Sequence, residues 1–520
     1  MKTRTLLRLT VSLAGVGLAM VATQSGCGGS AKAEPQGQPV TIGERPAIEQ
    51  HLDQADLVSG AVSFDEMFNL GEQLFVAKFN KLDGEGRPGA TGNGVPTQRE
   101  IGSAPAFIRT SAPESNSCAG CHNDPRTGGA GDFVANVFVL AQLDDPVTFD
   151  VREADERNTL GMMGSGAIEL LAREMTVDLQ AIRTAAIGQA QKDGSPVTVS
   201  LDTKGVNFGS LTANPDGSVD TSQVSGVDTD LIVKPFSQKG VVRSLREFTV
   251  NAMNQHHGME AVERFGIGQK DSKGNIITTN DFDGDGVPDE LTIGDITAVT
   301  IYQAFQNIPG QVMPGELERQ RAALQGARLF NQIGCNACHV PALVLNDTKF
   351  CEPYDQNSPG TFSDQTQKVC FDLVSEGRAP TLVHQADGKS ALVGAFTDLK
   401  RHTICDAQDP HYCNEPLVQN GVPIDQFLTR KLWDVGNSAP YGHRGDLTTI
   451  TEAIVAHGAE GRAARDAFNA LSQDQQSAIV EFLKTLQVLP EGSAALVIDN
   501  LGRAADKQAL ALRLGVKPGS

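Results

Sequence analysis

The chain has 520 residues, 40% of them hydrophobic, and a formal net charge of -20. That length is enough for two or three domains with a sizeable core, and the apolar content excludes a largely disordered chain. The acidic balance excludes nucleic acid and anionic membrane surface as partners, because both would be repelled, and favours a small basic protein.

Residues 1–26 carry basic residues, then an apolar run too short for a membrane span, then small residues, which is the pattern of an export signal. Ser25, Gly26 and Cys27 resemble the lipobox of bacterial lipoproteins, with Gln24 where an aliphatic residue is usual. A lipid on Cys27 would be the membrane attachment, putting the protein in the periplasm or on the outer membrane of a bacterial cell envelope. Cleavage after Ala33 is the alternative. Residues 27–63 read as a linker, polar from Gly28 to Pro46.

A first module is expected over residues 64–314. "FDEMFNLGEQLFVAKFN" has apolar residues at helical spacing, and the Gly- and Pro-rich stretch after it reads as a surface loop. "SNSCAGCHND" then sets Cys118, Cys121 and His122 together, and "IGCNACHVP" repeats the pattern with Cys335, Cys338 and His339. Half a zinc site would need a second Cys/His pair nearby, and a redox dithiol would need a thioredoxin-like βαβ pattern. Neither flanks the two copies. C-x-x-C-H is the attachment signature of c-type haem, because the two thiols form thioethers to the vinyl groups while the adjacent imidazole reaches the iron. Two copies predict two covalently bound haem c groups.

Residues 147–239 read as an insertion, with a helix around "AIELLAREMTVDLQAIRTAAIGQA" and short strands in "PVTVSLDTKGVNFGSLTANPDGSVD". Helices resume through "SLREFTVNAMNQHHGMEAVERFG". The segment 281–295, "DFDGDGVPDELTIGD", spaces Asp281, Asp283, Asp285 and Asp289 around Gly286, so alternate carboxylates can turn inward as in a calcium loop. The last loop position is Thr292 instead of Glu, which leaves Glu290 or Asp295 to complete the shell. A plain acidic turn is the other reading.

The second module spans 315–489. It opens on "GARLFNQIGCNACHVP" and closes on "LSQDQQSAIVEFLKTL", where Ser472 and Gln475 have capping-box spacing and Ile479, Val480, Phe482 and Leu483 form a stripe. Residues 490–520 form a tail with one more helix around "ADKQALALRLG". Of the nine cysteines, four belong to the motifs and one is Cys27, leaving an even number for an oxidising compartment. Three pairings exist; short loops favour Cys351 with Cys370 and Cys405 with Cys413. The expected fold is mainly α, with two cytochrome c-type haem domains, long loops and a small β-containing insertion.

"PYGHRGDLTTITEAIVAHGAE" followed by the last helix is similar to the C-terminal half of bacterial di-haem cytochrome c peroxidases. With "NSCAGCHNDPRTGGAGDFVANVF", "SLREFTVNAMNQHHGMEAVERFG" and "DFDGDGVPDELT", the chain from Phe64 to Leu489 resembles the di-haem oxidoreductase (putative peroxidase) group of that superfamily. The resemblance implies iron ligation by His122 and His339, and a sixth ligand for the second haem at His457, where Met is common. It also implies His443 beside the second haem and Trp433, the sole tryptophan, for packing or electron transfer between haems. No histidine lies between His122 and His256, so the first haem is open or capped from afar; His256, His257 and Glu260 are the candidates for its chemistry. The implied activity is hydrogen peroxide reduction at the first haem with electrons passed through the second. A non-enzymatic electron-transfer cytochrome and a di-haem oxygenase are the alternatives. The implied partners are peroxide or dioxygen, a small electron donor such as a basic cytochrome or cupredoxin, and a second copy in a homodimer.

Overall fold

Helix Ile293–Ala304 is the element around which the N-terminal half is built. Thr292 and Asp295 cap its start reciprocally, and every residue from Gly294 to Ala304 is buried. Its polar side chains are satisfied internally: Thr300 donates to the Ile296 carbonyl at 2.7 Å and Gln303 to Thr249 at 2.7 Å. Helix Phe64–Val76 lies against it through Met67, Phe68, Gly71, Leu74 and Phe75. Gly71 sets the approach, since a Cβ there would stand 2.1 Å from the Ala298 carbonyl oxygen. The computed structural model describes residues 42–85, 115–136, 156–271, 274–415 and 418–505. The export signal, Cys27, most of the linker, the loop over 86–114 and the tail helix lie outside the described residues. Among the described residues no helix is long and apolar enough to cross a membrane.

The expected insertion folds as helix Ser165–Asp193, buried along its first half, followed by a three-stranded antiparallel sheet of Val197–Thr203, Val206–Ala213 and Val219–Asp220. A buried ionic network ties it down. Glu169 accepts from Arg173 and from the Leu245 amide, and Arg246 donates to Glu263 at 2.8 Å and lies 3.6 Å from Glu352.

In the C-terminal half, helices Leu317–Gln332 and Gln473–Thr485 pack closely. A Cβ on Gly326 would stand 1.9 Å from the Ala478 carbonyl oxygen. Ala327, Phe330, Ile479, Phe482 and Leu483 fill the contact, joined by Phe396 and Phe468. The capping box of Ser472 and Gln475 forms as its spacing predicts. Strand Gly310–Met313 pairs antiparallel with Leu486–Gln487 and parallel with Val497–Asp499.

The expectation of a mainly α fold is not met. Among the described residues 35% are helix and 16% strand. Strand is not confined to the insertion, because the segments after the second motif fold as hairpins. Leu343–Leu345 pairs with Ala391–Val393, Lys349–Glu352 with Val369–Asp372, and Arg401–Thr403 with Gln426–Leu428. Leu343, Leu345, Phe350 and Val393 bury their side chains in the same core as Met175 and Phe305, so the hairpins close over the N-terminal half. Strands of three and four residues carry too little alternation to stand out in a sequence. The two favoured disulfides do form: Cys351–Cys370 joins directly opposed residues of a hairpin, and Cys405–Cys413 closes a short loop.

Candidate functional site

The first motif forms the short helix Cys118–Cys121, anchored when Ser117 donates to the Phe75 carbonyl at 3.3 Å. The His122 amide donates back to Cys118 at 3.0 Å, and its ring Nδ1 lies 3.0 Å from the Leu160 carbonyl. A carbonyl can only accept, so Nδ1 carries the proton and Nε2 is left as the ligand atom. Burial pushes the imidazole down to about 4, which keeps it neutral at pH 7.

The helix Leu245–Ala252 runs into one π-helical turn, Met253–His257, ended by left-handed Gly258 with φ 68°. Single π turns often mark functional sites, because the extra residue redirects side chains. Here it presents His257 to the motif: Nδ1 bonds the Ser115 carbonyl, and Nε2 lies 3.4 Å from Cys118 Sγ. His256 sits beside it, ring centroids 6.4 Å apart. Helix ends at His257, so Glu260 does not share a helical face with it. Glu260 instead joins the acidic turn.

The second motif follows helix Leu317–Gln332 through Gly334, whose φ of 90° suits glycine. His339 Nδ1 lies 3.1 Å from the Phe396 carbonyl, and His457 Nδ1 lies 2.8 Å from the Ala453 carbonyl. The two ring centroids lie 6.5 Å apart, with the ring planes at 65° to each other. Two metal–nitrogen bonds of about 2 Å with half a ring on each side give about 6 Å, so the ring separation fits one metal held by both imidazoles. Burial lowers both, His339 to about 4. All four motif thiols are outside disulfides. The donor set therefore fits two covalent haem c groups.

The segment Thr429–Asp434 joins the motifs. Lys431 Nζ donates to the Gly161 carbonyl, next to the carbonyl that holds His122, and Leu432 donates to Ala395, next to the one that holds His339. Trp433 is fully buried, its Nε1 has no hydrogen-bond partner, and a Cβ on Gly164 would stand 2.4 Å from its ring. Burial, opposed by Asp434, lowers Arg430 to about 10 and Lys431 to about 8. His443 is buried with both ring nitrogens unpartnered; its ring lies 4.5 Å from Phe427 and 6.0 Å from Tyr412, which also touches His457. Burial, then the charges of Arg157, Arg444 and Lys239, hold His443 far below its ordinary value. Sequence reasoning missed Arg430 and Lys431; their adjacency to the sole tryptophan was the available signal. It also missed His402, which bonds Asp398 and Glu460 at 2.8 Å each and reaches Cys338; Asp398, four residues upstream, was the available local signal.

In the acidic turn, oxygens of Asp281, Asp283 and Asp285 lie within 4.8 Å of one another, and so do those of Glu260, Asp283 and Glu290. Asp289 has a left-handed φ of 53° and accepts from Asn280 at 3.0 Å. Asp295 is taken by its helix cap, by the Leu52 amide at 2.9 Å and by His51 at 2.7 Å. Burial first, then neighbouring carboxylates, raises Asp283 to about 6, Glu260 to about 8 and Glu290 to about 10.

No family model and no curated protein matches the chain. Among solved structures, a chain of hydrazine synthase from Kuenenia stuttgartiensis, pressurised with xenon, aligns over 88% of this chain and 100% of its own, at 14% identity and a TM-score of 0.30. A likeness that low carries nothing about fold or chemistry.

Proposed function

We propose that the chain is an exported di-haem c oxidoreductase that reduces hydrogen peroxide at the N-terminal haem with electrons passed through the C-terminal haem. The observation that supports it is the asymmetry between the motifs. His339 is opposed by His457 across 6.5 Å, an arrangement suited to a closed electron-transfer centre, whereas His257 is drawn aside to Ser115 and Cys118. When bound, haem supplies the redox-active iron. The chain holds it through the two thiol pairs and through His122 and His339, kept neutral by burial. Arg430, Lys431 and the unpartnered His443 offer buried donors for propionate carboxylates, and Trp433 fills the space beside Gly164. His256 is the group left to hold and move a proton near the first site. The charge of -20 suits a basic electron donor.

His256 also favours a second reading. It adjoins His257, which touches Cys118 of the first motif, and a permanent His256 ligand would close the first site and leave an electron carrier. Low-temperature electron paramagnetic resonance of the haem-loaded protein, as isolated and half-reduced, separates the two. A high-spin ferric signal consumed by stoichiometric peroxide is the expected result. Two low-spin signals untouched by peroxide in both states would leave only the carrier.

A further inference from the structure

We propose that Glu260, Asp281, Asp283, Asp285 and Glu290 form a calcium site in which two buried glutamates replace the carboxylate missing from the last position of the Asp-rich turn. Thr292 holds that position but is the N-cap of helix Ile293–Ala304, and Asp295 is fully engaged with the cap, Leu52 and His51. Neither can turn toward the loop. The vacated direction is filled from elsewhere: Glu290 from within the turn and Glu260 from the segment after the π turn.

These two glutamates are what lift the cluster above an ordinary acidic turn. Glu260 is 6% exposed and Glu290 3%, and the Oε1 of each has no hydrogen-bond partner, as is true of Asp283 Oδ2. A buried carboxyl oxygen without a partner is costly, and a bound metal supplies that partner. Asp283 belongs to both sets of oxygens that lie within 4.8 Å of one another, so the Asp-rich turn and the two buried glutamates meet at that carboxylate. Calcium–oxygen bonds of about 2.3–2.6 Å put opposite ligands about 5 Å apart, which is the span observed. The backbone is already set for the purpose: the Glu260 amide donates to Glu290 Oε2 at 2.6 Å and the Val262 amide to the Leu291 carbonyl at 2.9 Å. An all-carboxylate shell of this number suits calcium over magnesium, which keeps its waters and demands a tighter octahedron. The site is independent of the haem reading.

The test is calorimetric titration of calcium chloride into the full, haem-loaded protein after chelator treatment, with thermal unfolding alongside. Calcium is expected to bind, magnesium at equal concentration not to compete, and the folding equilibrium constant to rise about a hundredfold at a calcium concentration 100 times Kd. Glu260→Gln and Glu290→Gln should each weaken binding at least about tenfold, as should Asp281→Asn. Absence of any binding heat up to millimolar calcium in the unaltered protein would overturn the site without recourse to variants. Glu260→Gln and Glu290→Gln that both bind as tightly as the unaltered chain, while Asp281→Asn does not bind, would overturn the role given to the buried glutamates.

Discussion

The motif histidines are the residues on which the proposed chemistry turns, and a backbone carbonyl holds the Nδ1 of each. Because Leu160 and Phe396 fix the Nδ1 protons, the ligand atom of each ring is determined before any metal arrives. His457 is the tunable member. Replacing it by Met puts a thioether in place of an imidazole, which favours the reduced metal. His457→Met is therefore expected to raise the midpoint potential of the second centre by on the order of 0.1 V while leaving the first within error, measured by spectroelectrochemical titration. An unchanged second potential would mean that His457 does not reach that centre. These residues were legible because C-x-x-C-H ties chemistry to adjacent positions, and His457 was legible from its place before Gly458. Lys431 and His402 were not, since their partners Gly161 and Glu460 are brought up by tertiary contact alone.

Among elements, the acidic turn shows how far a local pattern can be read. The Asp spacing predicted the convergence of Asp281, Asp283 and Asp285, but a common helical face for His257 and Glu260, three residues apart, would need the helix to run on past His257. The π turn and Gly258 end it, and Glu260 crosses to pair with Glu290 instead. That crossing has a pH signature in calcium-free protein. Burial, then neighbouring carboxylates, raises Glu260 to about 8 and Glu290 to about 10 in the native state, from 4.5 in the unfolded chain. Between these values the native state holds more protons than the unfolded one, so stability is full below about 4.5 and falls as pH rises. From pH 5 to 8 the loss is bounded at about 7 kcal/mol with chelator present, since nearly two protons are held only by the native state and each is worth about 1.4 kcal/mol per pH unit. It should be largely abolished by saturating calcium, which binds the deprotonated form. Scanning calorimetry across that range checks it, and a flat profile in chelator would contradict it. The short hairpins went unread for a different reason: their stability comes from burial in the N-terminal core, not from any pattern of their own.

At the scale of the whole molecule, Arg246 joins parts that are distant in the chain. It is fully buried, donates to Glu263 at 2.8 Å and to Thr297 at 2.8 Å, lies 3.6 Å from Glu352, and stacks 5.1 Å from the Phe362 ring centroid. One guanidinium therefore links helix Leu245–Ala252, the central helix Ile293–Ala304 and the hairpin strand Lys349–Glu352. Removing the cation alone leaves two carboxylates buried without it, which is costlier than the pair was stabilising. Arg246→Met is expected to cost about 3–5 kcal/mol in urea unfolding at pH 7. The double variant Arg246→Met with Glu352→Leu should recover part of that loss, because it also removes one of the stranded charges. Burial already raises Glu352 despite Arg246 and Arg173 beside it, so in the single variant it takes up a proton readily and the loss should shrink at pH 5. A single-variant loss under about 1 kcal/mol at both pH values would show that the hairpins are held to the N-terminal half by apolar packing alone, and that the ionic network serves only to fix their register.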